Sequence, residues 1–298
     1  MEFAAVERDG ESLYLPGQGG DTANVAVAAA RQGAKVAVFT FLGDDAFGQG
    51  FLDLWDREGI DRSTVRTPSA SRTGIYFIAY GPDGHVFTYN RAGSAPCLMT
   101  PSALPREQIA RTRILHVSGI SQAISPSAAD TVFEAIRVAK AAGGLVSYDT
   151  NLRLALWPLD RARAVIHAAL ALSDIARPGL DDARKLTGLE TPDDIADHYL
   201  AMGPSLVALT LGRDGVLVAR AGERHIVPPC PVDAVDASGA GDTFGGAFLA
   251  EWLRTGDPFA AAAYGNAAAA LQTLGRGAIA PMPRRERVEA FMRTGNAS

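Results

Sequence analysis

The chain has 298 residues, of which 47% are hydrophobic and 20% charged, and its formal net charge at pH 7 is -5. This length suits one large α/β domain or two small ones, and the composition is that of a globular protein with ample material for a core. Because no run of Lys and Arg forms a basic stripe, the charge argues against a nucleic-acid partner.

The cysteines and the hydropathy pattern bear on the cellular compartment. Cys97 and Cys230 are far apart and lack the spacing of a metal site, so we expect a reducing compartment and no disulfide framework. The Ala-rich stretch 260–271 is too short and too weakly apolar to span a membrane, and the start does not resemble a signal peptide. We therefore expect a soluble cytoplasmic protein without a membrane partner.

The predicted elements alternate between helix-like and strand-like segments along the chain. They begin with a helix at 21–32, an apolar strand at 35–43 and a helix at about 46–58. The same alternation continues with strands at 114–120, 145–150, 174–177 and 206–212, and with helices at about 126–142, 160–172, 240–254 and 258–274. This order predicts an α/β fold with a mostly parallel sheet covered on both faces.

One segment departs from this alternation. Residues 73–91 form two alternating, aromatic-rich runs around a Gly-Pro-Asp-Gly turn, which predicts an antiparallel hairpin. With 11–16 the hairpin can form a small separate sheet, used as a lid over the ligand edge or as a dimerisation surface. We expect one domain spanning 1–298, with lid segments at approximately 9–17 and 72–98. The alternative is an edge hairpin without a function.

The stretch with the clearest chemistry is DASGAGDTFGGAFLA, residues 236–250. Gly239, Ala240 and Gly241 stand directly before Asp242 at the start of a predicted helix. Free N–H groups at a helix N-terminus favour anions, and glycines let a phosphate approach them closely. A carboxylate beside a phosphate would repel it, which favours a base that takes a proton from an attacking hydroxyl. The alternative is that Asp242 only stabilises the helix electrostatically.

Two common nucleotide-binding motifs are excluded by the same sequence. No Gly-x-x-x-x-Gly-Lys-[Ser/Thr] occurs, so the usual P-loop is ruled out. Gly239 and Gly241 lack a third glycine at the dinucleotide spacing, and they lie near the C-terminus rather than in a first βα unit. Neither a P-loop nor a dinucleotide-binding fold is therefore predicted.

Four separated motifs resemble those of the ribokinase-like, or PfkB, carbohydrate kinases. The C-terminal signature of that family is matched by DASGAGD (236–242), and its N-terminal signature by GQGGDTANVAVAAARQGAKVAVFTFLGDDAFGQ (17–49). Its adenine-side helix is similar to YGNAAAALQTLG (264–275), and its nucleotide-binding turn to TLGRDG (210–215). The resemblance implies a ribokinase-like three-layer sandwich with a small β-sheet lid, and a kinase that uses ATP and Mg²⁺.

The resemblance implies several roles on the phosphate side of the site. Asp242 matches the catalytic base, which would accept the proton of the attacking hydroxyl. The preceding Gly239, Ala240 and Gly241 match positions whose N–H groups form an anion hole for the transferred phosphate. Nucleotide contacts are implied for Gly239, Gly241, Thr210, Gly212 and Asn266.

Cation sites are implied at two acidic residues. Asp236 matches a position that often helps to hold a monovalent cation, so K⁺ is a candidate cofactor beside ATP and Mg²⁺. The family's Asn-x-x-Glu motif, which organises magnesium-bound water, falls here on Gly179 and Asp182. Asp182 keeps a carboxylate on a shorter arm, whereas Gly179 cannot replace an amide, so the magnesium site departs from the family pattern.

On the sugar side, Gly19, Gly20 and Asn24 match substrate-pocket positions. The sugar side is where the subfamilies differ. Three tracts of this chain are similar to those of 2-keto-3-deoxygluconate kinases: FTYNRAGSA (87–95), HVSGI (116–120) and DTNLRLALW (149–157). Those enzymes act on a sugar acid, so their pocket needs cations for its carboxylate.

Arginine suits that task because it pairs with a carboxylate through two hydrogen bonds. Arg91 and Arg153 match the carboxylate-side arginines of those kinases. Tyr89 lies two residues before Arg91 and therefore on the same strand face, and Tyr76 matches a further pocket aromatic. The alternative for each arginine is a surface ion pair.

The leading interpretation is an ATP-dependent kinase that phosphorylates a primary hydroxyl of a sugar acid, forming 2-keto-3-deoxy-6-phosphogluconate. The alternatives are a kinase for a neutral sugar (fructose or ribose) or a nucleoside, and a catalytically silent sugar- or nucleotide-binding protein. The Gly-Ala-Gly-Asp run argues against a silent protein, because a pure binder does not need Asp242. We also expect a homo-oligomer that assembles through the lid.

The start of the chain departs from the family pattern. These kinases open with a strand that runs through the sheet and places an acidic or polar group on the sugar, whereas residues 1–20 contain no such strand, and Met1-Glu2-Phe3 resembles only its end. We expect a misassigned start site, because loss of a buried strand exposes sheet edges and apolar surface.

Overall fold

A computed structural model describes residues 1–8, 10–81 and 84–295. Within these residues the strands are β1 (Glu2–Arg8), β2 (Glu11–Gly17), β3 (Ile75–Gly81), β4 (Gly84–Asn90), β5 (Ile114–Ser118), β6 (Leu145–Asp149), β7 (Ile175–Arg177), β8 (Leu206–Thr210), β9 (Val216–Arg220) and β10 (Glu223–Val227). The α-helices are α1 (Asp21–Arg31), α2 (Ala46–Arg57), α3 (Arg106–Ala110), α4 (Gly119–Ala123), α5 (Pro126–Ala141), α6 (Leu159–Leu170), α7 (Leu180–Thr187), α8 (Pro192–Met202), α9 (Ala240–Thr255), α10 (Pro258–Gln272) and α11 (Arg285–Thr294).

The central sheet has six strands in the order β10-β9-β8-β7-β6-β5. Strands β5 to β8 are parallel, and β9 and β10 continue the sheet antiparallel to their neighbours. Successive residues point to opposite faces. Val207 therefore packs in the core beneath α5 to α8, whereas Ala208 packs against α9 and α10. The predicted three-layer fold with a mostly parallel central sheet is confirmed.

Several helices begin where the sequence supplies a capping side chain. The Ser125 hydroxyl accepts a hydrogen bond from Ala128 N, and Pro126 occupies the first turn of α5. The Asp45 carboxylate does the same for Gly48 N at the start of α2. No helix among residues 1–8, 10–81 and 84–295 combines the length and hydropathy needed to cross a bilayer.

A second, smaller sheet has the strand order β2-β1-β3-β4. β3 and β4 form the predicted antiparallel hairpin, with Tyr76 opposite Tyr89, and β2 coincides with the predicted strand 11–16. Ahead of β2 the small sheet contains a further strand, β1, that the sequence analysis did not predict, and none of residues 1–20 joins the central sheet. β1 runs antiparallel to β2 and parallel to β3, so the small sheet begins at Glu2 rather than near residue 9.

The strand predicted at 35–43 is also not observed. This segment is extended, but it makes only isolated bridges, from Ala37 to Asp61 and from Phe41 to Arg66. Its backbone hydrogen bonds to 61–66 form two separate bridges rather than a continuous ladder. The apolar composition was read correctly, whereas the irregular pairing with 61–66 cannot be read from a short window of sequence.

Candidate active site

The Gly-rich turn before α9 is fixed by hydrogen bonds to Asp236. One oxygen of its carboxylate accepts Ser238 N at 2.9 Å, and the other accepts Gly277 N at 3.0 Å. Gly239 is left-handed, with φ of 80°, and a Cβ there would lie 3.0 Å from the backbone of Ala278. The turn therefore needs glycine both for its backbone conformation and for the close approach of the 277–278 loop.

The turn leaves unpaired donors at the start of α9. Within the described part of the chain, the N–H groups of Gly239, Gly241 and Asp242 make no hydrogen bond, whereas Ala240 N donates to Ala237 O at 3.1 Å. Space around Gly241 is open. Such donors at a helix N-terminus suit a phosphoryl group. The free N–H groups thus differ by one residue from the predicted anion hole, because Asp242 takes the place of Ala240. The role of the anion hole stays a prediction.

Asp242 lies in the first turn of α9 and faces the start of α1. Asn24 Nδ2 donates to its Oδ2 at 2.7 Å, and Gly20 N donates to Asn24 Oδ1 at 3.2 Å. Burial raises the pKa of Asp242 to about 7, the Asn24 hydrogen bond opposes the shift, and the carboxylates of Asp149 and Asp21 add to it. A carboxylate poised near neutral pH is suited to accept a proton.

Arg177, at the end of β7, hydrogen-bonds to the start of α9. Its Nη2 donates to Gly241 O at 3.1 Å and lies 3.4 Å from Asp149 Oδ2 at the end of β6. The side chain is 2% exposed, and its Nε and Nη1 have no partner among the described residues. A Cβ at Gly245 would collide with the guanidinium. Sequence reasoning missed Arg177 and Gly245, because no spacing links a strand end to a later helix.

The predicted sugar-side arginine Arg153 lies between Asp182 and the lid residue Phe87. Its Nη1 donates to Leu152 O at 2.8 Å and is 3.8 Å from Asp182 Oδ2, and its guanidinium lies over the Phe87 ring at 5.9 Å. Burial raises the pKa of Tyr89, and the positive charge of Arg153 opposes that shift. The structure therefore places Arg153 beside the lid, and its role in binding the sugar stays a prediction.

Asp182 is oriented by the same loop. Its Oδ2 accepts Leu152 N at 2.9 Å, and burial raises its pKa while Arg153 opposes the shift. Its Oδ1 makes no hydrogen bond within the described residues. Among those residues, no group of three or more His, Cys, Asp or Glu side chains is placed to hold a metal ion. A magnesium ion carried by ATP needs only one or two protein carboxylates, so Asp182 fits that group.

The lid closes over the site through Tyr76 and a residue that the sequence analysis missed, Glu2. Tyr76 OH donates to Glu2 Oε2 at 2.9 Å, and Glu2 Oε1 accepts Ala278 N at 3.2 Å beside the Gly239 turn. A Cβ at Gly19 would lie 2.5 Å from Tyr76 OH, so glycine lets the lid approach the start of α1. Burial raises the pKa of Glu2. Glu2 was missed because its role depends on β1.

The second predicted arginine, Arg91, follows β4. Its Nε is buried and has no hydrogen-bond partner among the described residues. Both Arg91 and Arg153 lower the pKa of Tyr89, although burial raises it overall. Two guanidinium groups therefore act on the hydroxyl of Tyr89, whose ring centroid lies 6.0 Å from that of Tyr76 with the two rings tilted by 44°.

The predicted nucleotide-side residues lie at the end of β8, directly after it, and on α10. Thr210 ends β8, where its N–H donates to Pro178 O at 2.9 Å beside Gly179, and Gly212 follows in a left-handed conformation with φ of 62°. Asn266 on α10 donates to Pro228 O at 2.9 Å and holds the chain after β10. No hydrogen bond in the described part of the chain joins Asn266 to Thr210 or Gly212, and their nucleotide role stays a prediction.

Comparison with known sequences identifies the family of this chain. The model of the pfkB family carbohydrate kinase matches residues 16–285. The 2-dehydro-3-deoxygluconokinase of Bacillus subtilis (strain 168) is 33% identical over 286 aligned positions, covering 94% of this chain and 88% of that protein. The fructokinase of Klebsiella pneumoniae is 34% identical, with 92% of each chain covered.

The fold comparison points to the same group of enzymes. A putative ribokinase II from E. coli, solved in complex with ATP and Mg²⁺, superimposes with a TM-score of 0.89 at 27% identity, covering 98% of this chain and 96% of that one. The two curated relatives carry the names of different sugars, and both are named as kinases. The chain therefore belongs to the pfkB family of carbohydrate kinases and is an ATP-dependent sugar kinase.

Proposed function

We propose that this kinase phosphorylates a sugar acid, 2-keto-3-deoxygluconate, at its 6-hydroxyl. The observation that carries the proposal is the placement of two arginines beside the lid, where Arg153 lies over the Phe87 ring at 5.9 Å and Arg91 directly follows β4. Arg91 Nε is a buried donor without a partner among the described residues, which is costly unless a ligand accepts its hydrogen bond. A carboxylate satisfies two guanidinium groups better than a neutral hydroxyl does.

The reaction needs little covalent chemistry from the protein. The 6-hydroxyl oxygen attacks the γ-phosphorus, the bond between that phosphorus and the β,γ-bridging oxygen breaks, and ADP leaves with the electron pair. Asp242 accepts the hydroxyl proton, and Asn24 holds the accepting carboxylate in place. The free N–H groups of Gly239 and Gly241 stabilise the charge on the transferred phosphoryl group.

The proposed reaction also uses two cations, Mg²⁺ and K⁺. Bound Mg²⁺ would neutralise charge on the ATP phosphates, with Asp182 as its protein carboxylate through a water molecule. Asp236, whose oxygens already order Ser238 and Gly277, stays the proposed residue near a K⁺ ion.

A neutral sugar such as fructose is the second candidate. The specific observation in its favour is the group of carboxylates around Asp242, since Asp21 and Asp149 act electrostatically on it and carboxylates accept hydrogen bonds from sugar hydroxyls. Ribose and nucleosides belong to the same alternative. A catalytically silent protein is not supported, because the family relatives are kinases.

A substrate panel tests the proposal directly. ATP consumption is measured with 2-keto-3-deoxygluconate, 2-keto-3-deoxygalactonate, gluconate, fructose, ribose and adenosine, in magnesium with and without potassium. We expect turnover with the keto-deoxy acids and kcat/KM ~10–200-fold lower with fructose, since losing a charge-assisted contact of this kind costs about 1.5–3 kcal/mol. Equal or better turnover of fructose would keep the kinase and reject the carboxylate pocket.

We also propose that two copies associate through the small sheet. β2 is an edge strand of that sheet, and its Leu13, Tyr14 and Leu15 are all exposed. Exposed apolar edges are usually covered in native proteins. Sedimentation equilibrium should return twice the chain mass, and Leu15→Lys should reduce it to one. A single-chain mass for the unsubstituted protein would contradict this assembly.

A further inference from the structure

Arg177 is buried where the first turn of α9 packs on the central sheet. Its side chain is 2% exposed, and the register of β6 and β7 pairs it with Asp149. Paired residues of neighbouring parallel strands present their side chains on the same face, so the guanidinium and the carboxylate lie together on the α9 side. A permanent positive charge therefore contacts the helix start that carries Asp242.

The contacts of this guanidinium are too few to explain it as a structural residue. Its Nη2 serves both Gly241 O and Asp149, whereas Nε and Nη1 are buried and have no partner among the described residues. A buried charge that is only partly hydrogen-bonded is costly, and an apolar side chain of similar volume often gives an equally stable or more stable protein. Gly245 is also restricted to glycine by the same guanidinium. Stability therefore does not account for Arg177, which favours a role in the reaction.

The hydrogen bond to Gly241 O acts on a peptide that carries a free donor. Gly241 O and the N–H of Asp242 belong to one trans peptide and point in opposite directions. A cation on the oxygen therefore directs the N–H away from Arg177 and polarises it toward an anion. Glycines at 239, 241 and 245 weaken the first turn of α9, so a contact that fixes this peptide matters more here than in an ordinary helix.

Arg177 also changes the charge around Asp242. The groups that act on this carboxylate come from several elements: Asp21 and Asn24 of α1, Asp149 of β6, Arg177 of β7, Arg153 of the loop after β6, and Tyr76 of the lid. Burial raises the pKa of Asp242, Asp149 and Asp21 raise it further, and Arg177 opposes them. The phosphates of ATP bring more negative charge to this place, so an offsetting cation has to be in position beforehand.

The buried histidine beside Arg177 does not supply that charge. His116 on β5 pairs through Nδ1 with Ser147 Oγ at 3.2 Å. Burial lowers its pKa well below the usual value, and Arg177 lowers it further, so the imidazole is neutral at the pH of the reaction. On the sheet side of Asp242, the positive charge therefore comes from Arg177.

We propose that Arg177 is a positioning residue for phosphoryl transfer, which fixes the Gly241–Asp242 peptide and offsets the carboxylates of Asp21 and Asp149, so that Asp242 is ionised when the hydroxyl attacks. This inference rests on the proposed role of Asp242 as the base, and it is independent of which sugar is bound. Arg177 acts through Gly241 and Asp242 rather than by taking a proton, because a guanidinium stays protonated.

The test measures kcat against pH for Arg177→Met, with the sugar of the panel that gives the highest turnover. Removing the positive charge raises the pKa of Asp242, so the acid limb, expected near pH 7 in the unsubstituted enzyme, should move upward by at least ~0.5 pH unit. At pH 9, above the limb, kcat should still be ~10–100-fold lower, because the peptide is no longer fixed. A purely structural arginine would lower kcat by one factor at every pH.

Two further variants separate the charge from the geometry. Arg177→Lys keeps the charge, so its limb should stay within ~0.3 pH unit of that of the unsubstituted enzyme, while kcat at pH 9 falls. In Arg177→Met with Asp149→Asn, a positive and a negative charge are removed together. Asp149 acts on Asp242 more strongly than Arg177 does, so the limb of this double variant should return to the unsubstituted position or below it, without recovery of kcat at pH 9.

Arg163→Met is the matched control, because Arg163 also donates to a backbone oxygen, that of Leu186 at 2.7 Å, on the other face of the sheet. It should change neither the limb nor kcat at pH 9. An unmoved limb in Arg177→Met would overturn the inference. If Arg177→Met does not fold, the double variant decides, since it leaves no buried carboxylate unpaired, and full kcat at pH 9 there would overturn the inference.

The failure of this inference can be told apart from failure of the proposed base. A limb that persists in Asp242→Asn would reject Asp242 itself. A limb that is lost in Asp242→Asn but stays in place in Arg177→Met would leave the base intact and reject Arg177 alone.

Discussion

Asp242→Asn is expected to lower kcat by ~10²–10⁴, the usual contribution of a general base, while nucleotide affinity is largely retained. The amide keeps the shape of the carboxylate and can still accept the hydrogen bond from Asn24, so the change removes only the ability to take a proton. Steady-state kinetics with a nucleotide-binding titration measures both quantities. As the matched control, Asp160→Asn alters a carboxylate that is 98% exposed on α6, and it should leave kcat unchanged.

The pH dependence gives a second measurement of the same role. Burial raises the pKa of Asp242 to about 7, and only the ionised carboxylate can accept a proton. The rate of the unsubstituted enzyme should therefore fall about tenfold per pH unit below pH 7, and this limb should be absent from the Asn variant. If the variant retained both full turnover and the limb, Asp242 would not be the base.

Loss of fold would not explain this result. The raised pKa means that the ionised carboxylate is disfavoured in the folded state, a cost that develops between about pH 4 and pH 7 and is fully present above pH 7. The Asn variant should therefore be at least as stable as the unsubstituted chain at pH 8, as measured by Tm. A marked fall in Tm would instead assign Asp242 to the architecture.

Arg153→Gln is expected to lower kcat/KM for 2-keto-3-deoxygluconate by ~10–200-fold, as for loss of a charge-assisted hydrogen bond. Arg153→Lys keeps the charge but loses the two parallel hydrogen bonds of a guanidinium. Its kcat/KM should lie between those of the unsubstituted enzyme and of Arg153→Gln. Turnover of fructose, if any is measurable, should barely change. The matched control Arg137→Gln alters an exposed arginine on α5 that pairs with Glu134, and it should affect neither substrate.

The comparison between substrates separates recognition from architecture. Arg153 also bonds to Leu152 O and lies near Asp182, so its loss disturbs the loop whatever the sugar is. A purely structural arginine would reduce activity on the acid and on the neutral sugar by the same factor. That equal loss would reject Arg153 as the carboxylate partner and favour the neutral-sugar alternative.

Local signals in the sequence predicted the central part of the fold. The five-residue apolar runs of β5, β6 and β8 and the helix that starts after Gly239 were recognisable from short windows, because burial and capping are encoded locally. Asp242 was found for the same reason, since the glycines and the acid are adjacent. The family resemblance then indicated the sugar side, including Arg91 and Arg153.

The misses share a different cause, since each depends on a distant segment. Residues 35–43 read as a strand, but they make only isolated bridges, and their partners lie about 25 residues later in the chain. Glu2 enters the site only because β1 pairs with β3, which brings it to Tyr76 and Ala278. Arg177 looked like an ordinary strand end, and only the packing of α9 over it shows its contact with Gly241 O.

Arg177 and Gly245 illustrate a constraint on how this enzyme can change over evolutionary time. The guanidinium fills the space that any side chain at position 245 would need, so substitution of Gly245 alone is blocked while Arg177 is present. Losing Arg177 alone would leave the Asp149 carboxylate and Gly241 O without their cation. The two positions are therefore epistatic, and a descendant with a larger residue at 245 must first have found another way to hold the start of α9.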